Sequence, residues 1–322
     1  MATCRIQRLR GGWRRCATHS LRTVFLAVCF TAYLNIMPAQ ATNVSPALGV
    51  MYQPLNRDAE LGGYGWNYLF QQIAHSPVDF GVVQWLQYGS ETFTQPAPWL
   101  EEALTIWQRH MPLWLGLHTD PDYFNQMAAG EAAQGKFFAA YLRKLNGVVA
   151  RWQSWVNEHE KSVLGWYVPL ELSDAYFNTA SQRQQLHEFL HQLKQRMGKR
   201  KLAISVFMSG ELPADEFGAW LNELQELGYQ VWLQDGAGTR ALSETQRKDY
   251  FAHINCDVVM INEAFRQTNE QPFDARPARP EELERAVAQQ PKCHQQILFS
   301  LRYLPETAGL LYLTDVNAQP TR

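Results

Sequence analysis

The chain has 322 residues with 29 basic and 31 acidic side chains, and its first 41 residues differ in composition from the rest. Residues 1–22 carry six arginines and no acid, an apolar run follows at 23–37, and Ala39-Gln40-Ala41 closes it, as in a secretory signal peptide. Cleavage after Ala41 leaves 281 residues with a net charge of −8, which argues against a general nucleic-acid-binding protein. The alternative is an uncleaved anchor, but 23–37 is short for a span of about 20 residues. We therefore expect a bacterial periplasmic or secreted protein that keeps no stable membrane span.

Short apolar runs alternate with longer helical patterns along the mature chain. This alternation indicates β/α units and a parallel sheet. The expected strands lie at 47–52, 80–87, 113–117, 163–170, 202–207, 230–233, 257–261 and 296–301. The expected helices lie at about 66–75, 98–110, 135–158, 181–197, 214–227, 243–254 and 280–289, with Ser181 as one N-cap.

Eight such units predict one (β/α)8 TIM barrel over residues 42–322, with a short or irregular last helix after Tyr303. A length of 281 residues suits this fold, which typically needs about 250. An open doubly wound sheet is the alternative. It usually carries a G-x-G-x-x-G turn after its first strand, whereas this chain has Gln53-Pro54-Leu55-Asn56.

Polar and aromatic side chains follow the expected strand ends, where barrels place their active residues. The polar candidates are Glu91, His118, Asp120, Glu171, Asp174, Asp235, Glu263, Arg302 and Tyr303, and the aromatic ones are Tyr52, Tyr88, Tyr176 and Phe265. Strand residues alternate between two faces. This alternation groups Glu171 with Tyr167, Gly165 and Val163, Glu263 with Ile261 and Val259, and Asp235 with Leu233 and Val231. All three acids could therefore enter one barrel mouth.

Glu171 and Glu263 are the candidate catalytic residues. Both follow strongly apolar runs, and neither stands directly before a helix start, where an acid commonly serves as an N-cap. Asp235 remains open between a site role and a turn role, because Asp-Gly is a common turn pair. The residues expected to contact a substrate are Asp235, Tyr167, Tyr176, Tyr52, His118, Asp174 and Asn262.

Other chemistries have little support in the sequence. His118 has no second histidine at ligand spacing on a strand end, and His187 and His191 lack the H-E-x-x-H pattern. The chain also has no G-x-S-x-G motif and no P-loop. We therefore expect no metal site and no cofactor.

Two cysteines remain after signal cleavage, Cys256 and Cys293, at the starts of the seventh and eighth expected strands. Neighbouring strands lie about 4.8 Å apart, which is within the usual Cα range of a disulfide. An exported protein meets an oxidising compartment. The two cysteines are therefore expected to form a bridge.

Residues 165–171, 234–238 and 262–265 together resemble the bacterial DUF4434 family of glycoside-hydrolase-like TIM barrels. The resemblance extends over about residues 46–305. It implies a relation to the large clan of retaining glycosidases, with Glu171 as acid/base after strand four and Glu263 as nucleophile after strand seven. The chain departs from the clan at Leu170, where an asparagine usually precedes the acid.

Two functions are compatible with these residues. The first is an exported glycoside hydrolase that acts on a poly- or oligosaccharide, in which Glu171 protonates the leaving oxygen and Glu263 stays ionised to attack the anomeric carbon. This retaining mechanism predicts carboxyl groups about 5–5.5 Å apart. The second is a non-catalytic polysaccharide-binding protein that assists export or surface assembly, since the same acids and aromatic rings would serve it.

Overall fold

The computed structural model describes residues 46–95, 97–269, 273–307 and 310–311. Eight parallel strands close into a barrel in chain order, with the last strand paired to the first. The predicted (β/α)8 TIM barrel is therefore confirmed, whereas the expected signal peptide at 1–41 lies outside the described residues. The strands are β1 (Leu48–Tyr52), β2 (Phe80–Val83), β3 (Leu113–Gly116), β4 (Val163–Ser173), β5 (Leu202–Phe207), β6 (Gln230–Gln234), β7 (Val259–Glu263) and β8 (Gln296–Phe299).

Helices surround the barrel, and none in the described part of the chain is long and apolar enough to cross a membrane. Thr179, rather than Ser181, caps the fifth helix, because its hydroxyl accepts a hydrogen bond from the Gln182 N–H. After β8 the described chain forms two 3-10 turns, Leu301–Tyr303 and Pro305–Thr307. The helices are α1 (Gly62–Ala74), α2 (Trp99–Trp107), α3 (Tyr123–Ala128), α4 (Glu131–Glu158), α5 (Ala180–Met197), α6 (Ala214–Glu226), α7 (Glu244–Ala252) and α8 (Pro280–Val287).

Large side chains fill the inside of the barrel. The Tyr167 and Trp232 rings stack with centroids 4.7 Å apart, and Trp114 meets Trp232 edge to face at 5.3 Å. Aromatic pairs in these geometries contribute about 0.5–1.5 kcal/mol beyond their area burial. A separate, larger apolar cluster lies between the strands and the helices. The barrel is therefore closed below its C-terminal mouth, where the floor is aromatic.

Two irregularities in β4 set which side chains face inward. One extra residue, Leu164, stands between the pairs that β4 makes with β3, so Val163 packs outside while Leu164 packs against the interior cluster. The prediction that Val163 shares the face of Glu171 is therefore wrong. Two extra residues, 169 and 170, stand between the pairs that β4 makes with β5. An insertion of two preserves the alternation, so Glu171 stays on the inner face.

Cys256 and Cys293 precede β7 and β8 at the end of the barrel opposite the mouth. Their sulfur atoms are bonded in the structure, and their Cα atoms are 5.4 Å apart. The bridge therefore joins the bottom ends of two neighbouring strands.

Candidate active site

A cavity of about 400 Å³ opens at the C-terminal ends of the strands. Ligand sites commonly measure about 300–1,000 Å³. Nine aromatic side chains line it, namely Trp85, Tyr88, Phe93, Phe124, Tyr167, Phe265, Phe273, Phe299 and Tyr303. The polar side chains are those of Gln53, Asn56, Arg57, Gln84, Glu91, Glu171, Gln234, Thr239, Glu263 and Arg302. Both predicted catalytic glutamates therefore line one cavity.

Glu263, the last residue of β7, is held by the backbone of the loop that follows β6. Its Oε2 atom accepts hydrogen bonds from the N–H groups of Gly238 at 2.6 Å and Thr239 at 3.1 Å. A Cβ atom on Gly238 would lie 2.8 Å from the same oxygen and 2.7 Å from the Phe265 ring. Only glycine allows the loop to approach this closely, so Gly238 fixes the carboxyl group.

Asp235 supports the same arrangement from the opposite side of the strand. Its Oδ1 atom accepts hydrogen bonds from the N–H groups of Ala237 at 3.0 Å and Glu263 at 3.2 Å. Asp235 thus holds the backbone of Glu263 while the loop that Asp235 begins holds the Glu263 carboxyl group. The two segments position each other.

The expectation that Asp235 enters the mouth is wrong. Asp235 does share its face with Leu233 and Val231, but both of these pack outside the barrel. Trp232 occupies the interior instead, and Gln234 on that same face lines the cavity. Alternation indicates which residues share a face, and the fit of the large Trp232 ring decides which face is the inner one.

Glu171 lines the cavity near the end of β4. Burial raises the pKa of its carboxyl group, and a hydrogen bond with the side chain of Gln234 acts in the opposite direction. The hydroxyl group of Tyr123 donates to the Glu171 backbone oxygen at 3.2 Å. Glu171 is therefore anchored through its backbone, while Gln234 favours its ionised form.

Burial and the neighbouring charge of Asp235 raise the pKa of Glu263 to about 8. The charge of Glu171 adds to this increase in pKa, whereas the N–H groups of Thr239 and Gly238 oppose it. Burial raises the pKa of the neighbouring Asp235 carboxyl group as well, so protonation of this pair of acids is favoured at neutral pH. This differs from the expectation that Glu263 stays ionised.

The Tyr167 ring lines the cavity, but its hydroxyl group is hydrogen-bonded to Ser205 and buried. Tyr167 Oη and Ser205 Oγ are 2.7 Å apart, and Ser205 Oγ donates to the Leu170 backbone oxygen at 2.9 Å. The Ser205 proton is thus used, so Tyr167 is the donor to Ser205. The ring, rather than the hydroxyl group, is what a ligand would meet.

Tyr52 and Asp174 lie outside the cavity, contrary to expectation. The Tyr52 ring packs between the barrel and the helices, and its hydroxyl group donates to Asp58 at 2.7 Å. Asp174 accepts from the N–H groups of three loop residues, Ser209 and Glu211 at 2.7 Å and Leu212 at 3.0 Å. Both side chains therefore organise loops around the mouth.

Asn262, His118 and Tyr176 also lie outside the cavity. Asn262 alternates with Glu263 and points outward, where its side chain bonds with those of Gln290 and Gln296. His118 is buried beside Asp120, with 3.9 Å between His118 Nε2 and Asp120 Oδ2. Tyr176 contacts Phe124, whose ring lines the cavity, and the two ring centroids are 6.5 Å apart.

Within the described residues, no group of three His, Cys, Asp or Glu side chains could hold a metal ion.

Several residues that line the cavity had no role in the predictions made from the sequence. Phe124 and Phe273 are 44% and 41% exposed, so they stand at its rim, and both lie outside the expected strands and helices. Arg302 follows β8 and was recognised only by position. Its Nη2 atom donates to the Gln53 backbone oxygen at 2.9 Å and to Asp58. One sequence feature could have indicated the rim residue Phe124: it is an aromatic residue shortly after Asp120, an acid at the end of an expected strand.

Comparisons with known proteins agree with this architecture. Uncharacterized protein YbcH of Escherichia coli (strain K12) is 29% identical over 277 residues, which cover 82% of this chain and 92% of that protein. A crystal structure of a candidate alpha-L-fucosidase from Bacteroides thetaiotaomicron has a TM-score of 0.57 at 15% identity, covering 80% of this chain and 87% of that one. That likeness concerns the fold, a glycoside-hydrolase-like TIM barrel. A sequence profile described as "Domain of unknown function (DUF4434)" matches residues 48–308, so the chain belongs to the DUF4434 family.

Proposed function

We propose that this protein is exported and hydrolyses a poly- or oligosaccharide, with Glu171 and Glu263 as its two catalytic carboxyl groups. One observation carries the proposal: both glutamates line the same cavity, close enough for the charge of Glu171 to raise the pKa of Glu263. Glycoside hydrolysis needs two carboxyl groups that differ in their affinity for a proton. Their environments differ in this sense, because Asp235 stands behind Glu263 and Gln234 bonds with Glu171.

The walls of the cavity support a carbohydrate as the ligand. Sugar rings present apolar C–H faces that pack on aromatic rings, and hydroxyl groups that need polar partners. Phe265 and Tyr303 form one aromatic wall, with centroids 5.5 Å apart, and Phe273 extends it at 6.0 Å from Phe265. Phe124 is exposed at another part of the rim. Such rims suit a ligand longer than one sugar unit.

The proposed roles follow from where the proton resides. Glu263 donates it to the leaving glycosidic oxygen while ionised Glu171 attacks the anomeric carbon, which gives a covalent glycosyl-enzyme and releases the leaving sugar. Glu263, now ionised, then takes a proton from water as that water displaces Glu171. These roles are the reverse of those that the family resemblance implies for the two glutamates.

A glycan panel tests the function. The mature protein is incubated with neutral, amino and acidic polysaccharides, and both binding and new reducing ends are measured. We expect the wild type to cut at least one glycan. Glu171→Gln and Glu263→Gln should both still bind that glycan, but neither should cut it. Glu91→Gln removes another carboxyl group of the same cavity and is the control. Binding without new reducing ends for every glycan would contradict hydrolysis and favour the polysaccharide-binding alternative.

Leaving-group dependence tests the roles. An aryl glycoside with a dinitrophenolate leaving group needs no proton from the acid. Glu263→Gln should therefore keep the rapid first release of dinitrophenolate while losing activity on unactivated glycosides, and Glu171→Gln should lose both. The opposite pattern would restore Glu171 as the acid.

A further inference from the structure

A second cavity, of about 430 Å³, lies outside the mouth between α7, α8 and the loop that follows β6. Five arginines and three glutamates line it, namely Arg240, Arg247, Arg266, Arg279, Arg285, Glu244, Glu281 and Glu282. The hydrolysis proposed above uses none of them. We call it the arginine cavity.

Two of its three acids are already paired. Glu282 accepts two hydrogen bonds of 2.8 Å from Arg276, a residue outside the cavity lining, and one of 3.1 Å from Arg279. Hydrogen bonds from these arginines hold the pKa of Glu282 well below its usual range. Glu281 is 3.2 Å from Arg279 Nε. Arg276 and Arg279 thus pair with Glu281 and Glu282, and Glu244 is the remaining acid of the cavity lining.

Two of those four arginines are buried, each about 5% exposed. Arg266 donates to the backbone oxygens of Glu263 at 3.0 Å and Glu282 at 2.8 Å. Arg247 donates to the Leu242 backbone oxygen at 3.1 Å and to the neutral Gln289 side chain at 3.2 Å. These partners fix the guanidinium groups without cancelling their charge. The buried Asp235 acts on both arginines and is shared between them, and Glu282 and Glu263 act in addition on Arg266.

The other two arginines, Arg240 and Arg285, are exposed at the edge of the cavity. Among the described residues, neither guanidinium group has a hydrogen bond or an ion pair. Arg240 has a φ of 58°, in the left-handed region that few residues other than glycine adopt. The cavity therefore combines two fixed cations at its base with two unpaired ones at its edge.

We propose that the arginine cavity binds an oxyanion, the phosphate or carboxylate group of a small solute or of a glycan substituent. A guanidinium group can donate two parallel hydrogen bonds to two oxygens of a carboxylate or phosphate group, and these bonds are charge-assisted. The volume of about 430 Å³ accommodates such a group together with the molecule that carries it.

The site shares a loop with the mouth. Ala237 and Arg240 line the arginine cavity, whereas Gly238 and Thr239 hold the Glu263 carboxyl group on the other side. An anion in the arginine cavity would therefore rest against the loop that positions Glu263. The proposal goes beyond hydrolysis and does not depend on it.

Titration calorimetry on the mature protein tests this site. The probes are inorganic phosphate, pyrophosphate and glucuronate, at an ionic strength held constant with sodium chloride. We expect saturable binding of at least one probe at one site, weakened roughly tenfold or more in Arg240→Gln/Arg285→Gln because charge-assisted hydrogen bonds are lost. Binding of the phosphates would identify a phosphate group as the ligand, and binding of glucuronate alone would identify a carboxylate.

The matched control is Arg109→Gln/Arg196→Gln, which removes two exposed arginines elsewhere on the surface. This control should bind like the wild type. Absence of saturable binding for all three probes would overturn the proposal, and so would equal weakening in both double variants. Because no step requires turnover, this result is independent of whether the protein is a hydrolase.

Discussion

Replacing Glu263 by glutamine should stabilise the protein, and increasingly so as the pH rises. The glutamine Oε1 atom can still accept the hydrogen bonds that Gly238 and Thr239 now donate to Glu263. Glutamine carries no charge, so the variant removes the cost of ionising a buried carboxyl group beside Asp235. The perturbation is thus electrostatic and leaves the loop contacts in place.

The magnitude follows from the pKa of Glu263, which rises from 4.5 to about 8 on folding. Between these values the unfolded chain has lost the proton and the native protein keeps it, so wild-type stability falls as the pH rises. At 1.36 kcal/mol per pKa unit, the penalty is about 3 kcal/mol at pH 7 and about 5 kcal/mol above pH 8. The glutamine variant escapes this loss, so its advantage should grow from near zero below pH 4.5.

Urea unfolding of wild type and variant between pH 4.5 and 8.5 measures this difference. Glu91→Gln is the control, because that acid lines the same cavity but is partly exposed to solvent. A Glu263→Gln difference that stays constant between pH 4.5 and 8.5 would refute the reasoning, and so would equal growth in the control.

Three other outcomes follow from the structure. Gly238→Ala should displace the Glu263 carboxyl group and abolish the proposed hydrolysis, because its Cβ would lie 2.7–2.8 Å from its neighbours, whereas Gly147→Ala meets no atom within 4 Å and should be tolerated. Reducing the Cys256–Cys293 bridge should cost about 4 kcal/mol of stability by the chain-entropy estimate, since it spans 37 residues, and native material should contain no free thiol on denaturation. N-terminal sequencing of periplasmic material should begin at Thr42, and a membrane-bound form that keeps residues 1–41 would contradict cleavage.

The sequence carried most of the information on the barrel. Apolar runs separated by helical patterns located all eight strands, and alternation placed Val259 and Ile261 inside with Glu263 at the mouth, as the structure has them. The same alternation excludes Asn262 from the mouth, although it was expected to bind substrate. Period-two patterns are reliable here because a barrel strand has one face toward the interior and one toward the helices.

Two kinds of information were beyond the sequence. Alternation cannot say which face is inner, and the choice depended on packing Trp232 against Tyr167. A one-residue bulge at Leu164 reverses the alternation before it and leaves no local mark. The sequence pattern also did not predict the elements at the rim of the cavity. Phe124 lies in the short helix α3, and Phe265–Asn269 pairs with Asp274–Pro277, and all three segments fall outside the expected strands and helices.

Covalent trapping shows which glutamate attacks the sugar. The mature protein is incubated with a set of activated 2-deoxy-2-fluoro glycosides, which slow the release of a glycosyl-enzyme, and the modified peptide is identified by mass spectrometry. The proposed retaining mechanism predicts one adduct, on Glu171, absent in Glu171→Gln. An adduct on Glu263 would reverse the assigned roles. Hydrolysis of a glycan without any adduct would contradict the retaining mechanism.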